Sequence, residues 1–221
     1  MSRLSIGLLV CFVLSYFHGI SQISGFGFQP KQHFARQINI LQTVPKNFAR
    51  TTDQILSKSG IDLFVDYDLG QKWKIRMKLG YESKGFSTNH VDFLESGGHF
   101  EFNYVATDLN VIRYWGQGKK VQPYNFAGLS LGYLVNQKTW GPPLSDPTYH
   151  DLSYPKDFDS FSAFNFSYVF GFGLSFDQVM WLEFERNGDL IPSYRSEDLN
   201  IRNVVTSISV GINLLKLFKS I

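Results

Sequence analysis

Hydrophobic and polar residues alternate with a period of two along much of the chain. Strict alternation marks a strand whose two faces meet different surroundings. Ile61, Leu63, Val65, Tyr67 and Leu69 alternate with Asp62, Phe64, Asp66 and Asp68. After Gly70-Gln71 the pattern resumes: Trp73, Ile75, Met77, Leu79 and Tyr81 form one row, Lys72, Lys74, Arg76 and Lys78 the other. Leu129, Leu131, Tyr133 and Val135 alternate with Gly128, Ser130, Gly132 and Leu134. In Phe164 to Phe176 every second residue is aromatic or Leu, and Asn165, Ser167, Val169, Gly171, Gly173 and Ser175 lie between. Near the end, Val204, Ile208, Val210, Ile212 and Leu214 alternate with Asn203, Ser207, Ser209, Gly211 and Asn213.

These patterns predict strands at about 60–69, 72–83, 100–115, 122–136, 161–176, 179–187 and 203–215. An eighth, first strand is expected between Phe26 and Leu41. Its better core is Phe34 to Leu41, because Pro30 has no N–H to give to a ladder. Three connections are tight, at Gly70-Gln71, Gly116 to Lys119 and Asp177-Gln178. Between them lie long polar loops, roughly 83–98, 137–160 and 187–202. Alternating short and long connections are the rhythm of an outer-membrane barrel, with short periplasmic turns and long external loops. Strands of about ten residues suffice to cross a bilayer at a tilt.

A soluble β-sandwich would put the apolar faces in its core and the cations in water. The apolar faces here are long and carry aromatics at their ends, as Trp73 and Tyr81 do, which suits a lipid-facing band with interfacial anchors. The opposite faces are small and polar. The reading is therefore an all-β fold, an eight-stranded antiparallel transmembrane β-barrel. Such a barrel is just wide enough for side chains to fill. Buried cations need partners, and side chains opposite each other on paired strands share a face. Lys74, Arg76 and Lys78 are thus expected to point inward and meet Asp66, Asp68, Glu183 or Glu185 in a structural ion network.

The N-terminus reads as a secretory signal: Arg3, then an apolar run from Leu4 to Phe17, then small residues at Gly19-Ile20-Ser21. The expected division is a signal peptide at 1–21 and a barrel domain at 22–221, with cleavage near Ser21-Gln22. The one cysteine, Cys11, falls within the signal, so no disulfide or thiolate-bound metal is expected in the mature chain. A formal net charge of +2 gives no general polyanion-binding signature, and no nucleic-acid partner is expected.

The chain resembles the PorT-like outer-membrane β-barrel family, small exported barrels. The resemblance is carried by the strand–turn–strand at Gly60 to Phe86, by "NVIRYW" at Asn110 to Trp115, and by the glycine-rich Phe126 to Val135. Tyr168 to Phe176 and the closing Ser207 to Leu214 complete it. It departs from the family in lacking an acidic-apolar-proline element before the basic-aromatic pair, and in ending on "LFKSI". The family's namesake is implicated in assembly of a protein-secretion system. The resemblance implies localisation to the bacterial outer membrane and a link to protein secretion.

Motifs with chemical meaning are few. Gly128 to Gly132 matches the G-x-S-x-G of a nucleophile elbow, but that motif needs a strand-to-helix turn and Ser130 sits mid-strand. Asn165 begins a glycosylation-type triplet inside a strand. The Gly-Phe-Gly runs at Gly25 and Gly171 lack the rest of a dinucleotide site. His33, His90, His99 and His150 show no metal-ligand spacing. Asp146, His150, Asp151, Asp157 and Asp159 crowd one loop without the spacing of a calcium-binding hand. No catalytic residue, cofactor or metal is assigned. The expected function is a non-enzymatic interaction or assembly component in outer-membrane lipid, reaching a protein or glycan partner through external loops. Trp140, Tyr149, Tyr154 and Phe158 are the candidate contacts, since aromatics on a proline-stiffened loop suit hot spots. The alternatives are an outer-membrane hydrolase or lipid-modifying enzyme, and a narrow channel.

Overall fold

The computed structural model describes residues 23–41, 53–88, 98–116, 120–140, 162–195 and 199–219. The expected signal peptide and cleavage point lie outside these residues. Eight long strands run antiparallel to their neighbours: β1 (Ile23–Leu41), β2 (Leu56–Asp68), β3 (Trp73–Thr88), β4 (Gly98–Tyr114), β5 (Val121–Trp140), β6 (Phe164–Phe176), β7 (Met180–Asp189) and β8 (Leu199–Asn213). Neighbours in sequence are neighbours in the sheet, and β1 also pairs with β8, so the sheet closes into a barrel. Closure gives every long strand two partners and removes the exposed edges that an open sheet would carry. A six-residue helix, α1 (Leu214–Lys219), follows β8.

One walk around the barrel fixes its stagger. Phe26 pairs with Val65, Val65 with Met77, Met77 with Leu109 and Leu109 with Leu129. The path continues through Tyr168, Gly188 and Val204 to Arg36, ten residues beyond its start (36 minus 26). That shear tilts the strands, as closing a barrel requires, by about 35–45°. The same offset brings residues far apart in sequence to one depth in the lumen.

The turn ends have their own local chemistry. Gly70 and Gly116 hold positive φ at the β2–β3 and β4–β5 connections. In the β6–β7 turn both Asp177 and Gln178 are left-handed, and Val179 N–H donates to the Phe176 carbonyl at 3.0 Å. Two successive left-handed residues give the turn the twist that suits an antiparallel hairpin.

Pro30 lies inside a strand, contrary to the expectation that the first strand avoids it. It pairs with Ile61 of β2. Towards β8 the register passes from Phe28–Ile212 to Lys31–Ser209 with Gln29 and Pro30 left out of the pairing. The missing N–H interrupts the ladder on one side, and a 19-residue strand closed by thirteen pairs to β8 absorbs it.

The strands are also longer at the loop end than alternation indicates. β3 continues through Ser83–Thr88, and β5 through Gln137–Trp140. Trp140, assigned to a loop from the sequence, is therefore a strand residue that pairs with His99. A register shift at Asn103/Tyr104 leaves Val135 as an extra residue in β5, a bulge that breaks the two-residue period there. β8 in turn stops at Asn213, and Leu214 enters the helix rather than extending the strand.

The outward wall is apolar: Leu63, Leu79, Leu109, Leu131, Phe170, Phe172 and Ile208 are all exposed. Phe172 and Phe184 stack across β6 and β7 with centroids 5.3 Å apart. Such a band stays dry only against lipid. The inward face carries the polar core described next.

Candidate functional site

The β2–β3 hairpin sets the centre of the lumen. Its register places Asp66 opposite Arg76 and Asp68 opposite Lys74. The Arg76 guanidinium is fully buried and meets Asp66 in two parallel bonds, Nε to Oδ1 at 2.7 Å and Nη2 to Oδ2 at 3.0 Å. Its remaining Nη1 reaches across to Glu183 of β7 at 2.6 Å. Lys78, two residues on, bonds Glu185 at 2.7 Å and lies 3.3 Å from Glu183. Tyr124 of β5 donates its hydroxyl to Glu183 at 2.8 Å, and the Gln29 amide of β1 donates to the same carboxylate.

Aromatic faces cover what the carboxylates leave open. The Arg76 guanidinium carbon lies 4.0 Å from the Trp181 ring centroid and 4.9 Å from that of Phe64. Lys78 Nζ lies 5.3 Å from the Phe126 ring. A desolvated cation over a ring gains electrostatically from the ring quadrupole. Glycines on the paired strands make room for these rings. A Cβ on Gly171 would come within 2.5 Å of the Phe126 ring.

Of the seven residues the sequence assigns to the network, five meet here: Asp66, Arg76, Lys78, Glu183 and Glu185. The other two pair separately. Lys74 Nζ lies 3.3 Å from Asp68, whose side chain is 43% exposed, at the turn end of the lumen. They border a polar cavity of about 400 Å³ that Tyr114, Gln71, Gln122 and Gln178 complete.

Sequence reasoning missed three parts of the core. Lys31 of β1 pairs with Asp62 at 2.8 Å, hidden by the misplaced first strand. Tyr124 and Trp181, aromatics that point inward, carried no alternation signal pointing to a polar role. The third part is a second polar layer towards the long loops. There Lys84 bonds Asn165 at 2.6 Å and Ser167 at 3.2 Å, and lies 3.4 Å from Asp189 and 3.5 Å from Glu82. Asp189 also accepts from Ser193 at 2.5 Å and from the Asn203 backbone N–H at 2.8 Å.

One pairing has the form of a catalytic dyad. His33 Nδ1 lies 3.1 Å from Ser207 Oγ. Both residues are buried within the lumen. Ser130 is buried mid-strand in β5, as its position requires. Among the described residues no group of His, Cys, Asp and Glu is placed to hold a metal. Of the candidate external contacts, Tyr149, Tyr154 and Phe158 lie outside the described residues, as do Asp146, His150, Asp151, Asp157 and Asp159.

Among solved structures, the chain is similar to the neisserial surface protein NspA at 14% identity, over 87% of this chain and 99% of that one, with a TM-score of 0.46. It is similar to the attachment invasion locus protein Ail of Yersinia pestis at 12% identity, over 86% and 99%, with a TM-score of 0.39. It is similar to OprG from Pseudomonas aeruginosa at 14%, over 86% and 96%, with a TM-score of 0.43. No curated protein sequence matches. The family model for the outer membrane protein beta-barrel domain matches residues 38–190, most of the chain. With the closed eight-stranded sheet and its lipid-facing wall, the chain belongs to the outer membrane protein beta-barrel domain family.

Proposed function

We propose that this outer-membrane barrel is a non-enzymatic interaction or assembly component that works through its loop-end rim. The observation that carries the reading is the lumen, filled from wall to wall by Arg76, Lys78 and their carboxylates. A centre so occupied favours a structural core over a channel, and the outer wall is committed to lipid. The His33–Ser207 pair is sealed in the same core, which supports a structural role for it.

The surface that remains is at the loop end. Among the described residues, β5 pairs with β6 as far as Tyr133–Phe164 and with β4 as far as Trp140–His99. β3, β4 and β5 carry paired backbone out to Thr88, Gly98 and Trp140. Asn136, Gln137 and Lys138 are exposed on β5. The finer resemblance to PorT-like barrels supports assembly work linked to protein secretion, with a protein or glycan as partner.

Site-specific photo-crosslinking in intact cells tests this reading. A photoreactive residue at Gln137 is expected to capture a discrete protein or glycan adduct. The same residue at Leu129, in the lipid-facing band, is expected to capture none. Equal capture at both positions, or none at Gln137, contradicts the rim as the working surface.

A further inference from the structure

The outward face of the barrel at the turn end carries a cation built into aromatic rings. Arg113, exposed near the end of β4, pairs across the sheet with Trp73 of β3 on one side and Asn125 of β5 on the other. Its guanidinium carbon lies 5.4 Å from the Trp73 ring centroid and 4.3 Å from that of Trp115. Trp115 is itself fixed: its indole N–H donates to Asn125 Oδ1 at 2.7 Å, and its backbone N–H donates to the Pro123 carbonyl at 2.8 Å. Both tryptophans remain nearly half exposed, at 44% and 49%. Lys72, also exposed, adds a second cation beside Trp73, and its carbonyl accepts from Tyr114 N–H at 2.8 Å.

Among the described residues no carboxylate pairs with Arg113, unlike the lumen cations, each of which has one. A guanidinium held by its faces against rings still presents its N–H edges, five donors in a planar fork that matches phosphate oxygens. Asn125, whose Oδ1 is engaged by Trp115, keeps its amide N–H groups to donate. Short turns face the periplasm, and tryptophans mark headgroup depth. The geometry points to a binding site for the phosphate of a phospholipid headgroup in the periplasmic leaflet, formed by Arg113 between Trp73 and Trp115 with Asn125 beside it. A lipid source is favoured over a free anion because the site lies on the lipid-facing wall at the level of the interface.

The test uses full-length protein in nanodiscs holding equal amounts of phosphatidylglycerol and a neutral galactosyl diacylglycerol, which has no phosphate. Lipid retained by the protein is read by native mass spectrometry. The expected result is enrichment of phosphatidylglycerol in the parent that drops about fivefold in Arg113→Gln, the factor one interfacial cation supplies. Arg113→Lys keeps charge but loses the planar fork, and is expected to fall between. Arg186→Gln removes an outward cation nearer the loop end of β7 and is expected to leave the enrichment intact. Heat-modifiable migration on gels reports that each variant is folded; should Arg113→Gln fail to fold, Arg113→Lys carries the comparison. Equal enrichment in the parent and in the Arg113 variants overturns the site. An equal loss in Arg186→Gln also overturns it, because it reduces the effect to bulk charge. Competition by inorganic phosphate in detergent overturns the lipid assignment in favour of a free-anion site.

Discussion

The lumen contains two buried polar layers that solve the same problem with different chemistry. In the central layer, Arg76 and Lys78 face three carboxylates, Asp66, Glu183 and Glu185, and the cations rest on Trp181, Phe64 and Phe126. In the layer nearer the loops, Lys84 takes its shortest bonds from uncharged groups, Asn165 and Ser167, and only longer ones from Asp189 and Glu82. Every member of the central layer depends on a full opposite charge. The outer layer spreads one cation over amides and hydroxyls that can find each other again. Asp189 there keeps Ser193 and Asn203 as donors whatever Lys84 does. Removing one side of the first strands a buried charge, whereas removing Lys84 from the second leaves Asp189 and Glu82 to the neutral donors Ser193, Asn203 and Asn187.

The largest effect is therefore expected at Asp66. Asp66→Ala leaves the buried guanidinium with one carboxylate of its two, and loss of a buried ion partner costs about 3–5 kcal/mol. Urea unfolding of the lipid-reconstituted protein, followed by tryptophan fluorescence, should show the midpoint fall accordingly. Lys84→Met is expected to cost less, about 1–3 kcal/mol, because the carboxylates it leaves keep neutral donors, Ser193 and Asn203 on Asp189 and Asn187 on Glu82. Equal losses at the two positions would remove the distinction between the layers.

The smallest effect is expected at the rim. Lys58 pairs with Glu101 at 2.8 Å, but its side chain is 34% exposed. Glu101 is buried, but water reaches the Lys58 side and screens the pair, so Lys58→Met should cost less than Lys84→Met. The same unfolding series reads it. A loss at Lys58 matching that at Asp66 would mean that burial does not set the scale.

The two layers also differ in how far the sequence reveals them. Asp66 and Arg76 stand ten residues apart across one tight turn, so alternation alone places them on one face and nearly fixes their register. Glu183 and Glu185 follow from the same alternation on a second strand. Lys84 and Asp189 stand 105 residues apart, and only the ten-residue shear of the closed barrel brings them to one depth. The strand of Lys84 is also interrupted in pattern, since Glu82, Ser83 and Lys84 are all buried in succession opposite the bulge at Asn103/Tyr104.

The misread boundaries share a physical cause. Alternation is imposed by lipid on one side and lumen on the other. Where β3 and β5 rise at the loop end, through Ser83–Thr88 and Gln137–Trp140, polar residues occupy both faces and the period fades while the backbone ladder continues. Pro30 misled for the opposite reason: a rule about donors is strict for a short strand, and β1 is long enough to lose one bond. At the C-terminus, Leu214 continues the alternation of β8 yet begins "LLKLFK", whose composition also fits a helix turn, and helix is what forms.

The central claim is that the ion network fills the lumen and leaves function to the rim. Planar-bilayer recording of the purified, folded protein tests it most directly. The filled lumen predicts no steady single-channel conductance across the ordinary voltage range. A stable, reproducible open level in folded protein, persisting after removal of detergent contaminants, would contradict it and make the barrel a channel.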